Sequence, residues 1–296
     1  MTVAGGLVAA GLLTGAYGTL VERNNYALRR FTVPVLPPGS TELRILHLSD
    51  LHITPQQRRK VRWIRELDSL DPHLVLSTGD HVGGNEDTFA NTLHALEPLL
   101  KRPGAFVWGN NDHFAPIPKN PTRYFTNTTA NHRGSRIDLA SFHERLTDGG
   151  WLDLNNSVGT LEAGGLRIGF GGVGDPHTRR DRFAQIAGRV DLTADVRLGL
   201  THSPEPRVLD WFADDGYDLV LAGHTHGGQV RVPFYGAPTT NCGIDRARVR
   251  WMSSWRGPSG RECALHVSAG LGTSPYAPVR FCCRPEATLL TLVAKP

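Results

Sequence analysis

Tyr217-Asp-Leu-Val-Leu-Ala-Gly-His-Thr-His-Gly-Gly228 joins a short apolar run to two histidines set among glycines. The run from Tyr217 to Ala222 has the length and Leu/Val content of a buried strand. Gly223 gives the backbone freedom to turn sharply at its end. Two histidines flanking one threonine between glycines are not something packing asks for, and imidazoles so placed point to metal ligation.

The same arrangement recurs elsewhere in the chain. Leu43 to Leu48 runs into Ser49-Asp50-Leu51-His52, and His73 to Thr78 into Gly79-Asp80. Ala105 to Trp108 runs into Gly109-Asn110-Asn111-Asp112-His113, and Val196 to Thr201 into His202. Taken singly these ends have ordinary readings: Gly-Asp and Gly-Asn-Asn as turns, Asp50 as a loop cap, His202 as the residue before a helix. Ligands bind beyond the carboxyl ends of strands in open α/β sheets, so one metal site would account for all five ends at once. The donor set is carboxylate, amide and imidazole without thiolate, which suits Mn, Fe, Zn or Mg. Alternation of apolar strands with amphipathic stretches predicts an α/β fold. One helix is expected to start at Thr54-Pro55 and bury Val61, Ile64 and Leu67. Another is expected from Ser203-Pro204 through Val208, Leu209, Trp211 and Phe212 to a stop at Gly216. The polar, proline-rich stretch from Phe114 to Arg136 reads as a loop at the rim of the site.

The ordered set D-x-H, G-D, G-N, H and G-H-x-H resembles the signature of the calcineurin-like metallophosphoesterase superfamily, over roughly residues 43 to 293. The longer run from Thr201 to Glu205 and on to Gln229 resembles its bacterial branch of membrane-associated or exported phosphohydrolases. The resemblance implies a sandwich of two mixed β-sheets flanked by helices, with metals at the strand C-terminal ends. It implies two divalent ions, with Asp50, His52 and His226 on the first, Asn110, His202 and His224 on the second, and Asp80 bridging both. It further implies hydrolysis of phosphomono- or phosphodiester bonds by a metal-bridging hydroxide, on substrates that include lipid- or nucleotide-linked phosphates. One position departs from the pattern. Where the family commonly carries a His that contacts the phosphate, this chain has Asn111, which can donate a hydrogen bond but not a proton at neutral pH. His113 is the candidate substitute, competing with a reading as a plain loop residue, and Asp112 is expected to orient its neighbours. Asp175-Pro176-His177 reads as a turn, with a place near the site as the other reading.

The 296 residues carry 32 Lys plus Arg against 28 Asp plus Glu, a composition that argues against disorder, collagen-like repeats and a coiled coil. So small a positive excess, with no aromatic-basic strip, makes nucleic acid a poor partner and a nuclease the weaker alternative. A catalytically weak metal-binding scaffold of the same fold is the other. Val3 to Val21 is uncharged and mostly apolar, close to the length that spans a bilayer, so residues 1–22 are expected to anchor the protein at a membrane, with 23–40 as linker and 41–296 as the catalytic domain. Arg23, Arg29 and Arg30 follow the run and predict a cytoplasmic catalytic domain, whereas the cleavage-like Ala16-Tyr17-Gly18 would favour export. The four cysteines, Cys242, Cys263, Cys282 and Cys283, form no C-x-x-C pair, which leaves reduced thiols or a Cys242 to Cys263 bridge.

Overall fold

The computed structural model describes residues 11–118 and 134–296. Two six-stranded mixed sheets face each other. The first contains β1 (Ala27–Leu36), β2 (Leu43–Leu48), β3 (Leu74–Ser77), β4 (Gly104–Phe106), β5 (Trp151–Asp153) and β12 (Glu286–Ala294), in the order β1-β12-β2-β3-β4-β5. The second contains β6 (Ser157–Ala163), β7 (Leu166–Gly172), β8 (Val196–Leu200), β9 (Leu219–Ala222), β10 (Trp251–Arg256) and β11 (Glu262–Val267), in the order β10-β11-β9-β8-β7-β6. The pairs β2-β3, β3-β4 and β8-β9 are parallel, so their carboxyl ends open on the same side.

Alternation along each strand builds three apolar layers. Ile45, Leu74, Leu198, Leu221 and Leu290 point between the sheets. Leu46, Leu48, Val75 and Phe106 point outward from the first sheet, against α1 (Arg58–Glu66), α2 (Phe89–Leu96) and α4 (Ala140–Asp148), which contribute Ile64, Leu96 and Phe142. Val220 and Val267 point outward from the second sheet, against Val208, Leu209 and Phe212 of α5 (Pro206–Asp214). Within this scaffold α3 is a single turn, Asn110–His113, directly after β4.

Three expectations about element boundaries are corrected. The stretch assigned to a linker contains β1, which pairs in parallel with β12 and sends Val33, Val35 and Leu36 into the central core. Pro34 is tolerated there because β1 lies at the sheet edge, where a missing N–H costs no ladder bond. The first helix begins at Arg58 rather than Pro55, because residues 54–57 form a turn in which Gln57 Oε1 accepts the Thr54 N–H. The helix expected from Pro204 begins at Pro206, which takes the first helical position after Glu205.

Residues 11–16 are helical and continue into one π-helical turn, Tyr17–Val21. Among the described residues no helix is long and apolar enough to cross a membrane. The first ten residues of the expected anchor lie outside the described residues. So does most of the Phe114 to Arg136 loop, whose described ends meet in a bridge between Phe114 and Arg136. All four cysteines are free thiols.

Candidate metal centre

Five strand ends converge at one edge of the sandwich, three from the first sheet and two from the second. Asp50 and His52 follow β2, Asp80 follows β3 and Asn110 follows β4; His202 follows β8, and His224 and His226 follow β9. Five of these seven residues, Asp50, His52, Asp80, His224 and His226, have φ between 42° and 67°. Non-glycine residues seldom adopt the left-handed region, and a cluster of them marks backbone held against its preference at a functional site. Glycines make the close approach feasible. A Cβ on Gly109 would collide with Asp80 Oδ1 and His202, and one on Gly223 with Ser49 Oγ and Asp50 Oδ2.

The side chains aim their donor atoms at each other. His52 Nε2 and His202 Nε2 lie 3.4 and 3.5 Å from Asp80 Oδ2, His226 Nε2 lies 3.6 Å from Asp50 Oδ1, and His224 Nδ1 lies 3.3 Å from His202 Nε2. Two triads have donor atoms close enough to share one ion: Asp50, His52 and His226, and Asp50, Asp80 and His202. His52 Nε2 and Asn110 Oδ1 are buried without a hydrogen-bond partner among the described residues. Orphaned polar atoms of this kind need an explanation, and both belong to residues whose chemistry is metal ligation. The outward nitrogens are held by backbone: His202 Nδ1 by the Thr78 carbonyl at 2.7 Å, His224 Nε2 by the Asn241 carbonyl at 3.2 Å, and His226 Nδ1 by the Gly272 carbonyl at 3.2 Å. Each such bond fixes which nitrogen faces the site.

Charge is distributed unevenly. Burial opposes charge on both His202 and Asp80, yet their mutual attraction prevails, lifting His202 well above and holding Asp80 well below the usual ranges. Burial pushes Asp50 up to about 6 and His52 down to about 4. Burial, then the nearby His177 and His52 respectively, keep His224 and His226 well below 6.5. Neutral imidazoles keep their lone pairs available for a cation.

The α3 turn is tied to this set through Asp112, which is fully buried and accepts five N–H groups. Oδ2 takes those of Asp80 (2.8 Å), Gly109 (2.9 Å) and the His81 ring (3.1 Å); Oδ1 takes the backbone amides of His81 (2.7 Å) and Val82 (3.3 Å). Asp112 therefore ties the chain after β3 to the chain after β4, and its burial keeps it out of reach of a substrate. Asn111 carries a contact that its sequence position does not announce. Its Nδ2 donates to Asp80 Oδ2 at 2.6 Å and its backbone N to Asp80 Oδ1 at 2.7 Å, so Asn111 is first of all a brace on Asp80. His113 is half-buried at the end of α3, and burial and Arg180 lower its pKa.

Asp175 does build a turn, accepting the amides of His177 and Thr178, but that turn lays the His177 ring 4.5 Å from the ring of His224. Sequence reasoning missed Asn241 and Arg280. The Arg280 guanidinium is fully buried behind His226 and donates to the carbonyls of Ala269, Gly270 and Gly272. An arginine in an otherwise loop-like tail carried no signal of that position.

The family model for calcineurin-like phosphoesterases matches residues 43–228, which hold all seven of these strand-end residues. The chain belongs to the calcineurin-like phosphoesterase family. This metallophosphoesterase is 27% identical to YkuE of Bacillus subtilis, over 97% of this chain and 94% of that one. It is 27% identical to the phosphodiesterase YaeI of Escherichia coli, over 90% of this chain and 88% of that one. It is 25% identical to the UDP-2,3-diacylglucosamine pyrophosphatase LpxG of Chlamydia trachomatis, over 98% and 96%. The chain is a hydrolase of phosphoester bonds, from a family that uses divalent metals, and it carries candidate residues to hold them.

Proposed function

We propose that the protein is a dinuclear phosphodiesterase or phosphomonoesterase in which Asp50, His52 and His226 hold one ion, Asn110, His202 and His224 hold the other, and Asp80 serves both. The observation that carries this reading is the pair of buried, orphaned atoms, His52 Nε2 and Asn110 Oδ1, among strand-end residues whose other donor atoms close on Asp50 and Asp80. Two divalent ions bound there would supply an activated water and positive charge for the phosphoryl oxygens. The chain's own residues do the rest. Asn111, anchored on Asp80, has a second amide hydrogen to give to a phosphoryl oxygen. To His113, at the end of the same turn, we assign the proton for the leaving oxygen. Because its pKa is depressed, the protonated fraction, and with it this contribution, grows as the pH falls.

For the substrate we propose a phosphoester carried on a lipid and presented at a membrane surface. Among the described residues, ten of the twelve exposed large apolar side chains, Leu20, Phe234, Tyr235 and Tyr276 among them, lie on three segments around 11–24, 229–236 and 274–284. These segments are tied to each other: Arg231 N donates to the Phe281 carbonyl, Gln229 Nε2 to that of Ala277, and Arg280 N to that of Gly18. They border His226 through Arg280 and carry Arg23, Arg231 and Arg284 with one acid, Glu22, which is buried. Aromatic and apolar tips beside arginines are the composition of a surface that meets anionic lipid. LpxG, with its diacylated nucleotide-sugar substrate, supports the same class.

The test compares Mn2+-loaded protein on soluble p-nitrophenyl mono- and diesters with a lipid-linked diphosphate in anionic vesicles. The reading expects hydrolysis in each physical form, with Phe234→Ser and Tyr235→Ser lowering only the vesicle reaction, about tenfold. Absence of metal-dependent hydrolysis of every ester would refute the enzyme, and equal rates for parent and variants on vesicles would refute the lipid surface.

A further inference from the structure

Between the sheets, behind the metal centre, runs a buried polar chain that ligation does not use. His47 on β2 and His266 on β11 both project into the sandwich interior and are fully buried, one from each sheet. Their Nδ1 atoms are 2.8 Å apart. His47 Nε2 lies 2.9 Å from Thr78 Oγ1, which lies 2.8 Å from Ser49 Oγ, which lies 2.7 Å from Asp50 Oδ2.

The direction of every hydrogen in the chain follows from its end. Asp50 as a carboxylate can only accept, so the single hydroxyl hydrogen of Ser49 goes to Oδ2. Ser49 then accepts from Thr78, whose only hydroxyl hydrogen is thereby used. The contact between Thr78 and His47 must be an Nε2–H of His47 donating. His47 is neutral, since burial and then His266 push its pKa well below 6.5, so its Nδ1 is bare and accepts from His266 Nδ1–H. His266, pushed by burial down to about 3, is neutral too, and its Nε2 is left as a bare acceptor. That nitrogen has no hydrogen-bond partner among the described residues, and an unpaired acceptor is less costly to bury than an unpaired N–H.

We infer that His47 and His266 are positioning residues of the metal centre: through Thr78 and Ser49 they load Asp50 Oδ2 with a hydroxyl hydrogen and leave Oδ1, on the His226 side and with only the longer branch of the His224 amide bond, as the oxygen that meets an ion. The backbone agrees, because the His224 amide approaches Oδ2 at 3.0 Å and Oδ1 at 3.2 Å, while His226 Nε2 lies by Oδ1. The same Thr78 accepts the Nδ1–H of His202 on its carbonyl, so one residue braces a ligand from each sheet. This inference rests on the proposed function only in taking Asp50 as a ligand.

A pair of histidines that merely fills the core would be indifferent to which nitrogen carries the hydrogen, and a positioning pair is not. Long-range 15N–1H correlation spectra of the full chain at pH 7 should show His47 protonated at Nε2 and His266 at Nδ1, both neutral. Calorimetric titration with Mn2+ should show His47→Leu, which fills space without a donor, losing ten- to a hundredfold in affinity for one ion and keeping the other. His47→Gln, whose amide can still donate to Thr78, should recover most of that loss. Opposite tautomers in the parent protein overturn the inference even if His47→Leu fails to fold. So does a folded His47→Leu that binds both ions as the parent does, or a Gln variant no better than Leu. Failure of the protein to cleave any ester would overturn the functional reading alone, since neither the tautomers nor Mn2+ affinity depends on turnover.

Discussion

Replacing Asp112 by Asn keeps the shape of the side chain and reverses the polarity of one of its two arms. In the folded protein the carboxylate receives five N–H groups at 2.7 to 3.3 Å with no exposure to water. An amide nitrogen in place of Oδ1 would face the His81 and Val82 amides donor to donor; in place of Oδ2 it would face Asp80, Gly109 and the His81 ring. At least two buried donors lose their acceptor in either orientation. At about 1–3 kcal/mol for each buried donor left unpaired, the loss is on the order of 4 kcal/mol, a large share of a domain's usual ~5–15 kcal/mol. Urea unfolding of metal-free protein, followed by the fluorescence of the neighbouring Trp108, measures it without the linkage that bound ions would add. Asp87→Asn, at an exposed site, serves as control and should stay within about 0.5 kcal/mol. A loss under about 1 kcal/mol for Asp112→Asn would show that the five donors find other partners, and the picture of Asp112 as the clamp on Asp80 and Gly109 would fail.

Lys60 is fully buried with Nζ on the Leu51 carbonyl, and burial, then Arg280 and Arg23, depress its pKa to about 7. Between about 7 and its ordinary 10.5 the unfolded chain holds a proton that the folded one has shed, so stability should rise with pH across that window, by on the order of 5 kcal/mol, and stay flat below it. Thermal unfolding against pH should lose this slope in Lys60→Met; an unchanged slope would contradict the burial of the ammonium group. For His113→Ala, the rate on alkyl esters should fall about a hundredfold below pH 6 and that on aryl esters little, because a poor leaving group needs the proton most. Equal losses on both would make His113 a positioning group, and no loss on either would remove it from the reaction.

The candidate ligands were legible because each sits where a run of apolar residues stops at Asp, Asn or His, usually beside Gly, and the strand periodicity needs only a few neighbours to be read. The edge strand β1 was not legible, since Pro34 and the following prolines look like a break until β12, some 250 residues later, supplies the partner that leaves Pro34 on the outside. Asn111 was read as a phosphate contact because its type is right for one; that its amide lies on Asp80 follows from the tightness of the α3 turn, a three-dimensional fact. His47 and His266 stood in view as lone polar residues inside apolar strands, but their pairing joins positions 219 apart. The helix starts were misplaced by two or three residues because Pro55 and Pro204 are as acceptable in a turn as at a helix start.

Metal analysis of Asp80→Asn against the parent shows whether seven side chains hold two ions with Asp80 between them. After loading with Mn2+ and removal of free metal, the parent should retain two ions per chain and cleave a p-nitrophenyl phosphodiester. Asp80→Asn should lose occupancy at both positions and nearly all turnover, because the carboxylate supplies charge to each ion at once. Two ions retained at full occupancy in Asp80→Asn, or one ion in the parent, would contradict the account.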